Sequence, residues 1–247
     1  MILTGGIKLT GATPNNTGAS FNGTNQYLIA ASGASTFGSG DFTVECWFYK
    51  TSATTCTLVG NATGNSDNNY WYLGTNANGT IAFGIRDSAA AGVAITGSII
   101  TSINTWVHVA AVRVSGTVKL FVNGVLDTSG TIAKSITART TNIGSFLYNG
   151  FLDFFPGYIS NLRLVTGAGI YTGNFTVPTG PFGSTQSANP FGGANTSAIT
   201  GSQTSLLLTN SLNDSSVNNY TITNQNTVSS VNVELPFVYN KLQISLL

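Results

Sequence analysis

An antiparallel two-sheet β-sandwich is the fold class this chain predicts, and three observations carry it. Only 7% of its 247 residues are charged, against about 25% in an ordinary globular domain. The polar surface therefore falls to Asn, Thr, Ser and Gly, which suit strands, turns and loops rather than helices. The second observation is the segment Trp106 to Asp127, WVHVAAVRVSGTVKLFVNGVLD. Trp106, His108 and Ala110 alternate with Val107, Val109 and Ala111, and Val118, Leu120 and Val122 line one face of a following strand, the period of half-buried β-structure. The third is where that segment turns. Ser115-Gly116 and Asn123-Gly124 sit at two-residue turns, and Asn-Gly is a strong hairpin signal because both central positions need positive φ. A hydrophobic fraction of 42% with net charge +1 predicts a folded chain rather than a disordered one, long enough for a large core.

The other elements follow in order. Ile7 and Leu9 are strand candidates in a short lead-in. Ser20 to Ala30 reads as a strand, a turn at Asn22-Gly23 and a second strand. In the next strand Phe42, Val44, Cys46 and Phe48 face one way and Thr43, Glu45, Trp47 and Tyr49 the other. Aromatics on both faces predict a central strand covered on both sides, or one face reserved for a partner. Thr57 to Gly60 continues the sheet, residues 61–69 form a polar loop, and Tyr70 to Gly74 and Thr80 to Arg86 are strands. Asp87 to Ser102 is a weakly patterned loop with room for one strand. After the meander come strands at Thr141 to Gly144 and Tyr158 to Val165, the second with Ile159, Leu162 and Leu164 inward and a bulge near Ser160-Asn161.

Several function classes are excluded. The nine basic residues are scattered, whereas nucleic-acid binding needs Lys and Arg clustered on one face. Mean hydropathy is +0.19, but no run approaches the roughly 18 to 20 apolar residues of a membrane-spanning helix. The N-terminal stretch MILTGGIKLTGATPNN has no basic region followed by an apolar one, so no secretory leader is expected. Without one, the recurring Asn-x-Ser/Thr sequons imply no glycosylation. Cys46 and Cys56 are expected to be reduced thiols. If residues 51–55 turn a hairpin, Cys56 falls opposite Lys50 rather than Cys46. The single His108, with no G-x-S-x-G elbow, predicts a structural histidine rather than part of a nucleophilic triad. Zinc would need a cluster of His and Cys.

FNGTNQYL (Phe21 to Leu28), GDFTVECWF (Gly40 to Phe48) and the W-x-H-V-A element at Trp106 to Ala110 closely resemble the laminin G-like, concanavalin A-like jelly-roll family, over roughly Phe21 to Phe182. The resemblance divides the chain into a jelly roll at 1–182, a Ser/Asn/Gly-rich flexible linker or arm at 183–203, and a C-terminal β segment at 204–247. That last block carries Thr204 to Phe237, TSLLLTNSLNDSSVNNYTITNQNTVSSVNVELPF. In this family such a block, with its D-S/T-S-x-N-N and x-T-I-T elements, normally opens the domain. Here it either folds back, through Leu206 to Leu208 and Tyr220 to Thr223, to complete the chain's own sandwich, or pairs with a neighbouring subunit. Leu242, Ile244, Leu246 and Leu247 form an apolar end expected to be packed. Some glucanases share the fold but resemble one another in a Glu-x-Asp-x-x-Glu strand. Here only Glu45 and Glu234 are glutamates, and Phe48 stands where an acid is wanted, so no hydrolase, indeed no enzyme, is expected.

GAGIYTGNFTVPTGPF (Gly167 to Phe182) is similar to the tail of laminin G-like proteins in tailed bacteriophages. That resemblance implies a non-enzymatic protein on the outer surface of a virion, made in the host cytoplasm. It would be a capsid decoration protein bound to the major capsid protein or to sister copies as a homo-oligomer, or else a tail or fibre component. In that setting, removing the whole arm from Ser184 to Leu247 is expected to leave the sandwich folded and abolish assembly. The alternative is a carbohydrate-binding adhesion module for a bacterial surface glycan, with Trp71 and Tyr148 as candidate sugar-stacking residues among Tyr70, Tyr72 and Phe151. No cofactor is expected. Calcium is the one ion the family implies, with Asp67, Asn68 and Asn69, or Asp153, as candidate ligands; the competing reading is that these residues simply make turns.

Overall fold

The computed structural model describes residues 17–61, 63–64, 69–87, 92–148 and 151–235, with backbone alone at 63–64 and 151–152. Ile7, Leu9, Asp67, Asn68 and the apolar end at Leu242 to Leu247 lie outside the described residues. In chain order the strands are β1 (Thr17–Asn22), β2 (Tyr27–Ala30), β3 (Phe42–Lys50), β4 (Cys56–Gly60), β5 (Thr63–Gly64) and β6 (Tyr70–Thr75). Then come β7 (Ile81–Arg86), β8 (Val93–Thr96), β9 (Trp106–Val114), β10 (Thr117–Val122), β11 (Val125–Thr131) and β12 (Thr141–Ile143). The chain closes with β13 (Leu147–Tyr148), β14 (Phe151–Leu152), β15 (Pro156–Thr166), β16 (Thr204–Leu208), β17 (Ile222–Gln225) and β18 (Ser229–Asn232). Among the described residues no helix is long and apolar enough to cross a membrane.

Two large antiparallel sheets form a sandwich. One runs β11-β10-β9-β3-β15-β1-β18 with β16 also on β15; the other runs β17-β2-β12-β4-β6-β7-β8. A small ribbon, β14-β13-β5, stands beside them. The meander forms as its turn residues predict. Ser115 (φ 48°) with Gly116 (φ 78°) and Asn123 (φ 48°) with Gly124 (φ 78°) hold the left-handed backbone of tight hairpins. Residues 51–55 do not turn a hairpin within one sheet. They carry the chain from β3 in the first sheet to β4 in the second, and Cys46 and Cys56 are both free and buried.

β15 is long enough to serve two neighbours on one side. Its first half pairs with β1, Ala19 opposite Ile159, and its second half with β16, Leu164 opposite Leu206 and Leu162 opposite Leu208. Between them the expected bulge at Ser160-Asn161 is present, with Asn161 at φ 50°. β17 pairs with β2 in the second sheet and β18 with β1 in the first. The C-terminal block thus adds strands to both sheets of its own chain.

The core between the sheets gathers Phe42, Val44, Cys46 and Phe48 from β3, Trp71 and Leu73 from β6, and Ile159, Leu162 and Leu164 from β15. The other face of the first sheet is covered as well. Ala110, Val112, Phe121 and Val165 pack under Ile170, Tyr171, Phe175 and Ile199. Residues 183–203, expected as a linker, run without strands but are held in place. Arg163 donates to Gly183 O and Gln186 Oε1. Gln186 bridges Ile199, and Tyr171 bridges Thr196. Dense side-chain and backbone hydrogen bonding, not apolar patterning, fixes this segment, so its composition hid it.

Candidate functional site

Strand period decides which aromatics of β6 meet solvent. Successive side chains point to opposite faces, so Trp71 goes inward with Leu73 while Tyr70 and Tyr72 go outward. Trp71 is 0% exposed, packed against Phe37 at 5.6 Å and Phe83 at 6.2 Å between ring centroids, with its backbone N donating to Asn61 Oδ1. It therefore cannot stack on a sugar, a correction to its place among the glycan-binding candidates. Asn61 and the inward phase of β6 fix it as core.

The outward residues build an open cleft of about 260 Å³. Its floor is the second sheet, where Cys56 and Thr57, Gly74 and Thr75, and Ala82 present small side chains. Its wall is a cluster of four rings. Tyr70 lies 4.8 Å from Tyr148 and 5.3 Å from Phe146, and Tyr72 lies 5.3 Å from Phe146. Gly84 makes this geometry available, because a Cβ there would meet Tyr72 Cε1 at 2.5 Å. The Arg86 Nη1 group donates to Tyr148 Oη at 2.6 Å and fixes that ring at the rim.

Asp153 completes the lining. Its backbone N donates to Phe146 O, which ties the acid to the ring beside it. Burial pushes the Asp153 carboxyl above its ordinary pKa. Burial also raises the Tyr72 phenol, with Tyr70 and Asp153 adding to the effect, and raises the Cys56 thiol. Lys50 is buried behind Thr75, its Nζ donating to Thr75 Oγ1 at 2.6 Å and Asn76 O at 3.1 Å. Burial holds its ammonium below the usual lysine range.

For calcium, the donor set is the test. Of the candidates, Asp67 and Asn68 lie outside the described residues, and Asn69 O accepts from Arg139 Nη1. Among the described residues no group of three or more His, Cys, Asp or Glu comes together, and Asp153 is the one acid among the cleft's described lining residues, short of the several oxygen ligands calcium takes.

The other acid of interest, Glu45, is on the opposite sheet and sealed. Its Oε1 accepts from Arg163 Nε at 2.8 Å and Nη2 at 2.7 Å, and its Oε2 accepts from Tyr171 Oη at 2.6 Å and lies 3.2 Å from His108 Nε2. Burial alone would raise its pKa. The Arg163 charge, together with His108 and Tyr171, outweighs that and lowers it to about 2. His108 thus takes the structural place its lone occurrence predicts. Nothing in the local sequence of Phe146 distinguishes it from a core phenylalanine, so sequence alone does not mark it as a site residue. Asp153 stands in the sequence as a candidate calcium ligand, with nothing local that ties it to this ring cluster.

Two antiparallel sheets packed as an all-β sandwich define the jelly-roll class of folds. A family model described as the concanavalin A-like lectin/glucanases superfamily matches residues 22–168, more than half of the chain, and the protein belongs to that superfamily. Among curated proteins none matches. Among solved structures, a candidate carbohydrate binding protein from Bacteroides ovatus superposes with a TM-score of 0.58 at 14% identity, covering 90% of this chain and 61% of that one. The CBM40 module of the Ruminococcus gnavus IT-sialidase, bound to α2,3 sialyllactose, superposes at 0.52 with 15% identity, covering 63% of this chain and 91% of that one. At these identities the likeness is one of fold.

Proposed function

We propose that the chain is a non-catalytic glycan-binding module and that the cleft walled by Tyr70, Tyr72, Phe146 and Tyr148 is its sugar site. The observation that carries this reading is the ring cluster itself, open to solvent with a carboxyl group at its side. Sugar rings have apolar C–H faces and polar edges. They dock face-on to aromatic rings, which contribute large contact area at little entropic cost, while hydroxyls and a nearby carboxylate supply hydrogen bonds. The superfamily membership and the carbohydrate-binding neighbours favour the same reading. Glycoside hydrolysis uses two carboxylates roughly 5 to 10 Å apart, and Asp153 is the one acid among the cleft's described lining residues, which supports binding without catalysis.

The virion reading then concerns where such a module acts. A capsid or tail protein, as a homo-oligomer or seated on a major capsid protein, remains part of the proposal. The apolar face of the first sheet that would dock on a capsid is, however, occupied at Ala110, Val112, Phe121 and Val165 by the chain's own residues.

The test separates two neighbouring residues of β6. Tyr72→Ala is expected to lower affinity for a glycan selected on an array by about tenfold or more, as loss of a buried contact ring does. Trp71→Ala is expected to cost about 3–5 kcal/mol of stability instead. Calorimetric titration and thermal melts read the two. An array on which the protein retains no glycan, or a Tyr72→Ala protein that binds as before, removes the reading.

A further inference from the structure

We propose that the cleft selects glycans bearing a positively charged amino group, whose ammonium sits against the Asp153 carboxylate within the surrounding tyrosine and phenylalanine rings. This rests on the glycan-binding reading and goes beyond it by naming the chemical class. Asp153 is half-buried and lines the cleft, yet among the described residues its carboxyl oxygens accept no hydrogen bond and join no ion pair. Two cations stand near the cleft, and both are engaged elsewhere. The Arg86 guanidinium is turned to Tyr148 Oη, and Lys50 points to Thr75 Oγ1 and Asn76 O. Neither offsets the effect of burial on the acid.

A half-buried carboxylate without a partner is costly, and a ligand that brings a cation removes that cost. The ring cluster works in the same direction, because aromatic faces attract ammonium groups through their quadrupole. A sugar with only hydroxyls gains neutral-donor hydrogen bonds, which are weaker than charge-assisted ones. An anionic sugar would meet the carboxylate with no cation in the described lining to receive it. Among the described lining residues none carries a positive charge that would repel an amine, and the Arg86 and Lys50 charges lie behind the lining, on Tyr148 Oη and Thr75 Oγ1.

The experiment is calorimetric titration of the full chain with matched oligosaccharides: glucosamine oligomers, their N-acetylated counterparts, glucose oligomers and galacturonate oligomers. The glucosamine oligomer is expected to bind about tenfold or more tightly than its N-acetylated counterpart, the difference between a charge-assisted and a neutral hydrogen bond. Asp153→Asn is expected to bring those two affinities together. Among the described residues its side chain has no partner to lose, so the variant is expected to fold, and a thermal melt checks that it does. Equal or tighter binding of the neutral or acidic oligomers overturns the amine selectivity and leaves the glycan site standing. A preference that survives Asp153→Asn overturns the role of the carboxylate. Binding of none of the four series overturns the amine selectivity, while the glycan reading beneath it falls only if the array also retains no glycan.

Discussion

Ending the chain at Gln203 is expected to abolish cooperative folding. The strand pairing argues against the expectation that removing Ser184 to Leu247 leaves the sandwich folded, and agrees with the reading in which the C-terminal block completes its own sandwich. β16 fills the second half of one side of β15, and Leu206, Leu207 and Leu208 are all buried. At about 1.5–3 kcal/mol for each fully buried leucine, these three side chains contribute roughly 5 to 9 kcal/mol, against a typical total of about 5 to 15 kcal/mol for a whole domain. β17 and β18, lost with them, leave open edges on β2 and β1. The turn after β16 is built to hold this arrangement. Asp214 Oδ1 accepts from the backbone N of Leu207 and of Ser216, and its Oδ2 accepts from Ser216 Oγ and Tyr220 N. Circular dichroism melts of chains ending at 203 and at 235 check the prediction. A 203-residue chain that melts as sharply, and near the same temperature, as the longer one would show that the sandwich closes without its last strands.

The sequence was most legible where local chemistry and global position agree. Asn123-Gly124 can hardly be anything but a tight hairpin, and the alternation of β9 and β10 follows directly from it. The D-S-S-x-N-N element is marked by its resemblance to the family's opening block, and in the structure Asp214, Ser216 and Asn218 knit its turn. Legibility failed where a position depends on something distant. Trp71 and Tyr72 are neighbours of similar character, and only the phase of β6 against the core assigns one to packing and the other to the cleft. Phe146 becomes a site residue because β13 brings it beside Tyr70 and Tyr72, a placement that local pattern does not encode. Residues 183–203 look like a linker because they bury little apolar area. What holds them is Arg163, twenty residues away from Gly183, reaching across with hydrogen bonds that composition cannot reveal.

Glu45→Gln is expected to destabilise the fold by about 3–5 kcal/mol, the range for removing one partner of a buried ion pair. The glutamine keeps the shape of the side chain but leaves the Arg163 guanidinium buried without its carboxylate, and weakens the acceptor for Tyr171 Oη. For a domain of this size the melting temperature should fall by about 10 °C, at roughly 2–4 °C per kcal/mol. The same pair sets an acid response. Glu45 titrates near 4.5 in an unfolded chain and at about 2 when folded. Its depressed folded pKa means that the stabilisation is fully present above pH 4.5 and is lost progressively as pH falls towards 2. Wild-type protein should therefore lose stability across that window, and Glu45→Gln should lose much less there, having no carboxylate at this position to protonate. Urea titrations of both proteins at pH 2.5, 4 and 7 separate this from a general acid effect. The idea fails if the two proteins differ by the same amount at all three pH values. Replacing both partners, Glu45→Leu with Arg163→Met, should recover only part of the loss: it removes the unpaired charge but leaves Tyr171 Oη and His108 Nε2 without their acceptor, and Gly183 O and Gln186 Oε1 without their donor. Even a partial recovery would assign the pair a structural part under its lid of Tyr171, Phe175 and Phe182, and leave ligand recognition to the opposite sheet.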